Sequence, residues 1–396
     1  MTFTEGVPAS SYLTDLAGQS KNCIPRSIEE LFDRIFNDLS VEESHRKVEL
    51  AKSNLKALKD YPKESLSADQ KLSCQIASLQ LNRIIEREDG VALSNKDVYY
   101  VYLLKEHTTL DLFPEKVHET GCQEVERIEK KIIELLKQQG LWNQEVSIGA
   151  HLKQLNKPGF ITERQLFLIL DRAEKKLGPL FSAKPKTLPN IQLGWYPEAK
   201  WGVGYQPPDI DGSRPGTICV NADPQWLLSS QIETAAVHEG IPGHHYQRSL
   251  QMESGNHKLR KSFEYAAYVE GWALYAEMLA YEEGFYSSPF YQIVHLQSEL
   301  WRAARLVIDT GIHWKRWSRE EAIAYMAHVT GLPDPIVIAD IEKCFDTPGK
   351  ACAYKIGQMK ILEIREEEKK RLGDQFDLKE FHGRILNRGV IPLSML

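Results

Sequence analysis

A proline standing four residues after a histidine is the hardest constraint in this chain. In Ala235-Ala236-Val237-His238-Glu239-Gly240-Ile241-Pro242-Gly243-His244-His245-Tyr246-Gln247, Pro242 has no amide to donate to the His238 carbonyl. Its ring pushes Ile241 away from the α region, and Gly243 accepts dihedrals that other residues avoid. A helix that runs through His238 must therefore bulge or break at Ile241–Gly243. On a regular helix His244, at i+6, would point about 240° round from His238, and His245, at i+7, would sit about 10 Å further along. The break decides where both imidazoles go.

A His-Glu pair opening such a segment is similar to the zincin pattern His-Glu-x-x-His, in which two histidines one turn apart bind Zn²⁺ and the glutamate activates water. With zinc–nitrogen bonds of about 2.0–2.1 Å, neither later histidine could share an ion with His238 on an undistorted helix. A two-residue bulge brings His244 to the place that a regular motif gives to i+4; a longer one brings His245. His244 is preferred because it needs the smaller distortion, and His245 is the alternative ligand. A kinked core helix ending in a histidine pair is the competing, non-functional reading.

A third ligand is expected on the helix predicted over 258–283, which carries Glu264, Glu270 and Glu277. The run Tyr268-Val269-Glu270-Gly271-Trp272-Ala273-Leu274-Tyr275 sets Glu270 among apolar residues, where an unpaired carboxylate is costly and a cation is wanted. Gly271 leaves room for a neighbouring helix to approach closely. Glu277, two turns on and on the same face, is expected to orient a metal ligand, or else to be an exposed surface carboxylate. The six cysteines (Cys23, Cys74, Cys122, Cys219, Cys344, Cys352) form no Cys-x-x-Cys pair, so a metal falls to His and carboxylate.

The rest of the chain predicts a mostly α (α+β) fold: a large helical body with one small antiparallel sheet and a zincin-like core. Helical periodicity covers 28–58, as a hairpin arm would, then 66–88 and Cys122–Gln139, which Gly140 ends. Between about 177 and 222 proline and glycine accumulate around three short extended candidates, Ile191–Tyr196, Trp201–Tyr205 and Thr217–Asn221, with Asp209–Gly216 as a turn. Residues 1–175 are expected to form a helical wall or lid, and 176–396 the metal-site region of one continuous body. With 42% hydrophobic and 26% charged residues, the 396-residue chain has ample material for a core. A net charge of −6 without a basic block argues against nucleic acid and anionic membrane as partners. No apolar run approaches the roughly 18 residues of a membrane span, and the first residues carry no secretory pattern, so a cytoplasmic location is expected.

Several blocks together resemble the mainly bacterial domain-of-unknown-function family 885, with its hallmark H-E-x-x-P-G-H-H-x-Q. They are the 238–247 segment, Glu270-Gly-Trp-Ala-Leu-Tyr-Ala-Glu277, Trp301 to His313, Pro348-Gly349, Ala353 to Gln358, and Phe376-Asp377 through His382 to Leu393. The resemblance is strong over roughly 190–396. It implies similarity to zinc metallopeptidases of the gluzincin type, with His238, His244 and Glu270 on the metal and Glu239 as general base. The chain departs from the family where Lys343-Cys344 stands for an Arg-Tyr pair and Lys350 for a Gln, and many members are longer, exported lipoproteins.

Beyond the metal, His313 and Tyr354 are candidate oxyanion donors in catalysis. Asp309, at i−4, is placed to orient His313. Arg305, a charge on an apolar helix, and Lys355 are candidate substrate contacts, Arg305 through a bidentate grip on a carboxylate. Trp195, Tyr196, Trp201 and Tyr205 are candidates to line a cleft in which an edge strand holds an extended peptide. The expected activity is hydrolysis of a peptide or amide bond, with Zn²⁺ or another divalent ion and a small peptide or amino-acid-derived substrate. Non-hydrolytic chemistry on an amino-acid-like substrate is the first alternative. A helical binding protein with a vestigial site is the second.

Overall fold

Capping residues written into the sequence set several of the helix starts. The computed structural model describes residues 25, 27–42, 44–88, 95–188, 191–195, 202–221, 223 and 225–396. Ser27 caps α1 (Ile28–Leu39) by accepting from the Glu30 amide, and α2 (Ser44–Asp60) and α3 (Ala68–Glu88) follow. Asn54 joins α1 and α2 by accepting from Arg34 Nε at 2.9 Å and donating to Asp38 Oδ2 at 2.7 Å. The chain divides into two compact units, Met1–Ile84 and Ile85–Leu396.

The larger unit opens with α4 (Lys96–Thr108), α5 (Pro114–Gln138), α6 (Ile148–Leu155) and α7 (Glu163–Leu177). The amphipathic segment that the sequence marks over Cys122–Gln139 is the second part of α5, which starts earlier because Pro114 suits a first helical turn. A small sheet follows, from β1 (Gln192–Trp195), β2 (Val203–Gln206) and β3 (Thr217–Val220), in the order β1-β3-β2. It is mixed: β2 pairs with β3 antiparallel, through the 207–216 turn, but β1 pairs with β3 parallel. The expectation of an antiparallel sheet is corrected in this respect. Residue patterns identify a strand, whereas its direction follows from a chain path that carries β1 to the far side of β3.

Helices then resume with α8 (Ile232–Ala235), a π-helical turn over Ala236–Gly240, α9 (His244–Glu253), α10 (Lys258–Ser262) and α11 (Ala266–Glu282). The helix predicted over 258–283 is thus two, interrupted at extended Phe263 and Tyr265. Last come α12 (Pro289–His313), α13 (Arg319–Thr330), α14 (Asp334–Asp346), α15 (Lys350–Leu372) and α16 (Leu378–Leu386). The fold is mostly α with one small sheet.

Helix α12 is the spine of this unit. Its apolar residues, including Leu300, Ala304 and Ile308, are buried against Ile128 and Ile132 of α5, Met326 of α13 and Ile341 of α14. Helices α11 and α15 cross with almost no gap. A Cβ added at Gly271 would stand 2.5 Å from Gly357 Cα and 2.8 Å from the Gln358 nitrogen. Only glycine permits this approach, and it sets Glu270 of α11 beside Tyr354 of α15. Among the described residues no helix is long and apolar enough to cross a membrane.

Candidate metal centre

Pro242 does break the helix, and the break converges two histidines. After the π-helical turn, Ile241 is extended (φ −120°, ψ 122°), and the Ile241–Pro242 peptide is cis. The backbone stays hydrogen-bonded through the break: the Ile241 amide donates to the Ala236 carbonyl at 3.3 Å and the Gly243 amide to the Val237 carbonyl at 3.0 Å. A Cβ at Gly243 would collide with the Val237 and His238 carbonyl oxygens, so a side chain here would force the turn open. Helix α9 restarts at His244, whose ring meets that of His238 edge to face, with centroids 4.8 Å apart.

Glu270 completes the cluster from α11. Its Oε2 lies 3.5 Å from His238 Nε2 and 3.4 Å from His244 Nε2, and the three candidate ligand atoms all lie within 4.8 Å of one another. A tetrahedral ion with bonds of about 2.0–2.1 Å separates its ligand atoms by about 3.3–3.4 Å. The two measured distances suit edges of such a tetrahedron. The donor set of two imidazoles and a carboxylate also suits zinc.

Electrostatics favour a cation here. Burial alone would depress His238, but Glu239, Glu270 and Glu277 outweigh it and lift the imidazole to about 10. Burial would raise Glu270, yet the two histidines hold it well below the usual carboxylate range. Glu277 is buried, not a surface group, and its Oε1 accepts from His238 Nδ1 at 2.6 Å. That bond fixes the tautomer and leaves His238 Nε2 turned toward Glu270. Glu239 is buried as well, and its Oε2 lies 3.9 Å from His244 Nε2. Burial pushes its carboxyl up despite the opposing pull of both histidines.

His245 is committed elsewhere. Its Nε2 donates to the Leu188 carbonyl at 3.0 Å, and its Nδ1 accepts from the Tyr205 hydroxyl at 3.0 Å. Burial holds it neutral, below the usual imidazole range. With both nitrogens occupied, His245 joins the helix to the sheet and is no part of the cluster.

The cluster forms one wall of a 320 Å³ cavity. Gly202, Val203, Gly204 and Tyr205 line it from the sheet side, and Trp301, Arg302, Arg305, Asp340, Lys343 and Tyr354 line it from α12, α14 and α15. Burial, then Glu270, pushes the Tyr354 phenol up, so it keeps its proton as a donor. Arg305 reaches the cavity but is neutralised by Asp340, with Nη2 at 2.5 Å from Oδ1 and Nε at 3.0 Å from Oδ2. Its guanidinium also lies over the rings of Trp301 and Tyr354, with centroids at 4.7 and 4.8 Å.

Three expected site residues are placed elsewhere by long-range partners. His313 donates from Nε2 to the Cys344 carbonyl at 2.9 Å and stacks on Tyr100, away from the cavity lining. Asp309 does not serve as its orienting partner: it accepts from the Tyr100 hydroxyl at 2.6 Å and the Gly349 amide at 2.9 Å. Lys355 is fully buried, its Nζ 2.7 Å from Glu299 and 2.9 Å from Glu124, and it is a structural cation rather than a substrate contact. Of the four aromatic candidates, Tyr205 lines the cavity and Trp195 is exposed on β1, while Tyr196 and Trp201 lie outside the described residues. Sequence reasoning passed over Arg302 in favour of Arg305. The alanine-rich helix carries both, and only Asp340, far along the chain, distinguishes them.

A mostly helical fold with a small sheet and a His-His-Glu cluster in the wall of a partly open cavity defines the molecule's class. The chain belongs to the family described as "Bacterial protein of unknown function (DUF885)", whose pattern matches residues 94–396. The crystal structure of a candidate lipoprotein from Colwellia psychrerythraea is similar at 32% identity and a TM-score of 0.71, over 93% of this chain and 68% of that one. A candidate lipoprotein of unknown function from Shewanella oneidensis shares the fold at 19% identity and a TM-score of 0.62, over 93% of this chain and 72% of the other. No curated protein matches the chain.

Proposed function

We propose that this protein is a metal-dependent hydrolase of the gluzincin kind that cleaves a peptide or amide bond. The observation that carries the reading is the convergence of His238, His244 and Glu270 at tetrahedral spacing beside the buried Glu239. These three would hold Zn²⁺ or a similar divalent ion, which when bound supplies a Lewis acid that polarises a carbonyl and acidifies water. Glu239 takes the proton of the attacking water at a carboxylate oxygen and delivers it to the leaving nitrogen. Its raised affinity for protons suits both halves of that transfer. Tyr354 donates its phenolic proton in a hydrogen bond to the developing oxyanion. The free side of β2, an edge strand lining the cavity, offers backbone groups to an extended substrate. Glu277 keeps His238 oriented throughout.

Metal analysis of chelator-free protein is expected to give about one ion per chain, and a peptide-library digest read by mass spectrometry is expected to yield products. Glu239→Gln is expected to retain the ion and lose turnover by about 10²–10⁴-fold. Undiminished cleavage by that variant would remove the mechanism. A second reading, non-hydrolytic chemistry on an amino-acid-derived substrate, draws on Lys343 in the cavity wall. A protein that binds its ion but cleaves nothing in the digest would favour it.

A further inference from the structure

The cavity that holds the His-His-Glu cluster is also lined by cations, and Arg302 stands apart among them. Three cations line it, Arg302, Arg305 and Lys343, and besides Glu239 and the carboxylates on the two histidines the lining carries one further anion, Asp340. Asp340 is fully engaged: Oδ1 takes Arg305 Nη2, and Oδ2 takes both Arg305 Nε and the Trp301 indole at 2.9 Å. Among the described residues no carboxylate pairs with Arg302 or Lys343.

Arg302 is nonetheless held in place. Its Nη1 donates to the Ser298 hydroxyl at 2.5 Å and carbonyl at 3.2 Å, and its guanidinium lies 4.6 Å from the Trp301 ring centroid. Its Nε is buried without a hydrogen-bond partner. The guanidinium lines the same cavity as Glu239 and Glu277, and among the described residues it forms an ion pair with neither. Arg302 and Glu239 thus border one cavity without being joined to each other. An immobilised, unneutralised guanidinium is suited to a planar anion gripped by two parallel hydrogen bonds. Lys343 lines the same cavity from α14, and burial and the neighbouring Arg305 press it toward its neutral form, so an anion in the cavity would favour its charged form.

We propose that Arg302, assisted by Lys343, binds the terminal carboxylate of the substrate, so that the enzyme acts on the C-terminal end of short peptides. This rests on the hydrolytic reading and adds the direction of attack to it. Cavity size agrees: 320 Å³ lies at the small end of the range for ligand sites, about 300–1,000 Å³. Each residue adds at most about 3.3–3.6 Å of chain. An anion held in this cavity thus lies one or two residues from the bond beside Glu239.

The test compares one tripeptide, taken from the library digest, as its free acid and as its C-terminal amide. The zinc-loaded protein is expected to favour the acid on the order of 10–100-fold in kcat/KM, as expected of a charge-assisted bidentate contact. Arg302→Gln should bring the two within about threefold, chiefly through KM, and Arg302→Lys should restore part of the preference. Lys343→Ala, on a different helix, should reduce the preference as well, and it serves as the independent variant if Arg302→Gln does not fold. Equal cleavage of acid and amide by the native protein, or a preference unchanged in both variants, would overturn the proposal while leaving hydrolysis standing. Calorimetric binding of a phosphinic tripeptide analogue in the same two forms supplies a readout without turnover. Preference for the acid form there, in a protein that cleaves nothing, would sustain the subsite and remove the hydrolytic reading.

Discussion

Replacing Gly271 by alanine should damage stability and metal affinity together, because one backbone crossing governs both. The added Cβ would stand 2.5 Å from Gly357 Cα and 2.8 Å from the Gln358 nitrogen, which are rigid main-chain atoms in the middle of α15. Carbon atoms in good contact lie about 3.5–4.0 Å apart, so α11 and α15 must part by about 1 Å or more. Overpacking of this kind costs about 1–3 kcal/mol. The displacement falls on the residue next to Glu270, and the opposite helix carries Tyr354 three residues before Gly357. A ligand moved by about 1 Å loses roughly 10²-fold in the function that depends on its placement. Thermal unfolding with and without zinc, together with competition against a fluorescent chelator, measures both effects. A variant with native melting temperature and native zinc affinity would refute the reasoning, since it would show that the crossing does not position the ligand. A loss of stability with unchanged affinity would refute its second half alone.

Two further outcomes are expected. Glu277→Gln keeps the shape of the side chain but removes the charge on His238 Nδ1, and zinc affinity should fall about 10–100-fold in the same competition assay; an unaltered Kd would deny Glu277 its orienting role. His382 is buried between the Leu180 carbonyl and the Tyr275 hydroxyl, and burial holds it down at about 4, against an ordinary value near 6.5 in the unfolded chain. Above about 6.5 it is neutral in both states and its contribution is intact. As pH falls from there toward 4 only the unfolded chain takes up the proton, so about 3 kcal/mol of stability is lost across that window. Urea unfolding of metal-free protein against pH, beside His382→Gln, reads this directly. Parallel curves for the two proteins would show that His382 is not the titrating group.

The parts of the site that were legible in the sequence are those written in local chemistry. Pro242 and Gly243 act on their own backbone and on the four residues before them, so a break at Ile241–Gly243 can be read without knowing the fold. Gly271 announced a close helix approach, and the apolar setting of Glu270 announced that its carboxylate needs partners, which His238 and His244 supply. Glu277 at i+7 could be placed on the same face as Glu270 by helix geometry alone. The misplaced residues are those whose role depends on partners distant in sequence. Spacing allows Asp309 to reach His313, but Tyr100 and Gly349 occupy Asp309, and the Cys344 carbonyl takes His313. Arg302 and Arg305 look alike along α12 until Asp340 arrives from α14 and neutralises one. In the sheet, the turn between β2 and β3 dictates their antiparallel pairing, whereas nothing within Gln192–Trp195 specifies a parallel neighbour.

The paired histidines divide two tasks that are usually separate. His244 turns toward Glu270 and the candidate ion, while His245, the next residue, bolts the same helix turn to Tyr205 of the cavity-lining strand and to the Leu188 carbonyl. The cavity-lining strand is therefore riveted to α9 one residue away from His244. Moving the strand outward would mean drawing Tyr205 off His245, and that pull would pass directly into the turn that aims His244. Movement of the strand and the aim of His244 are thus mechanically opposed, and a shift of one is felt by the other.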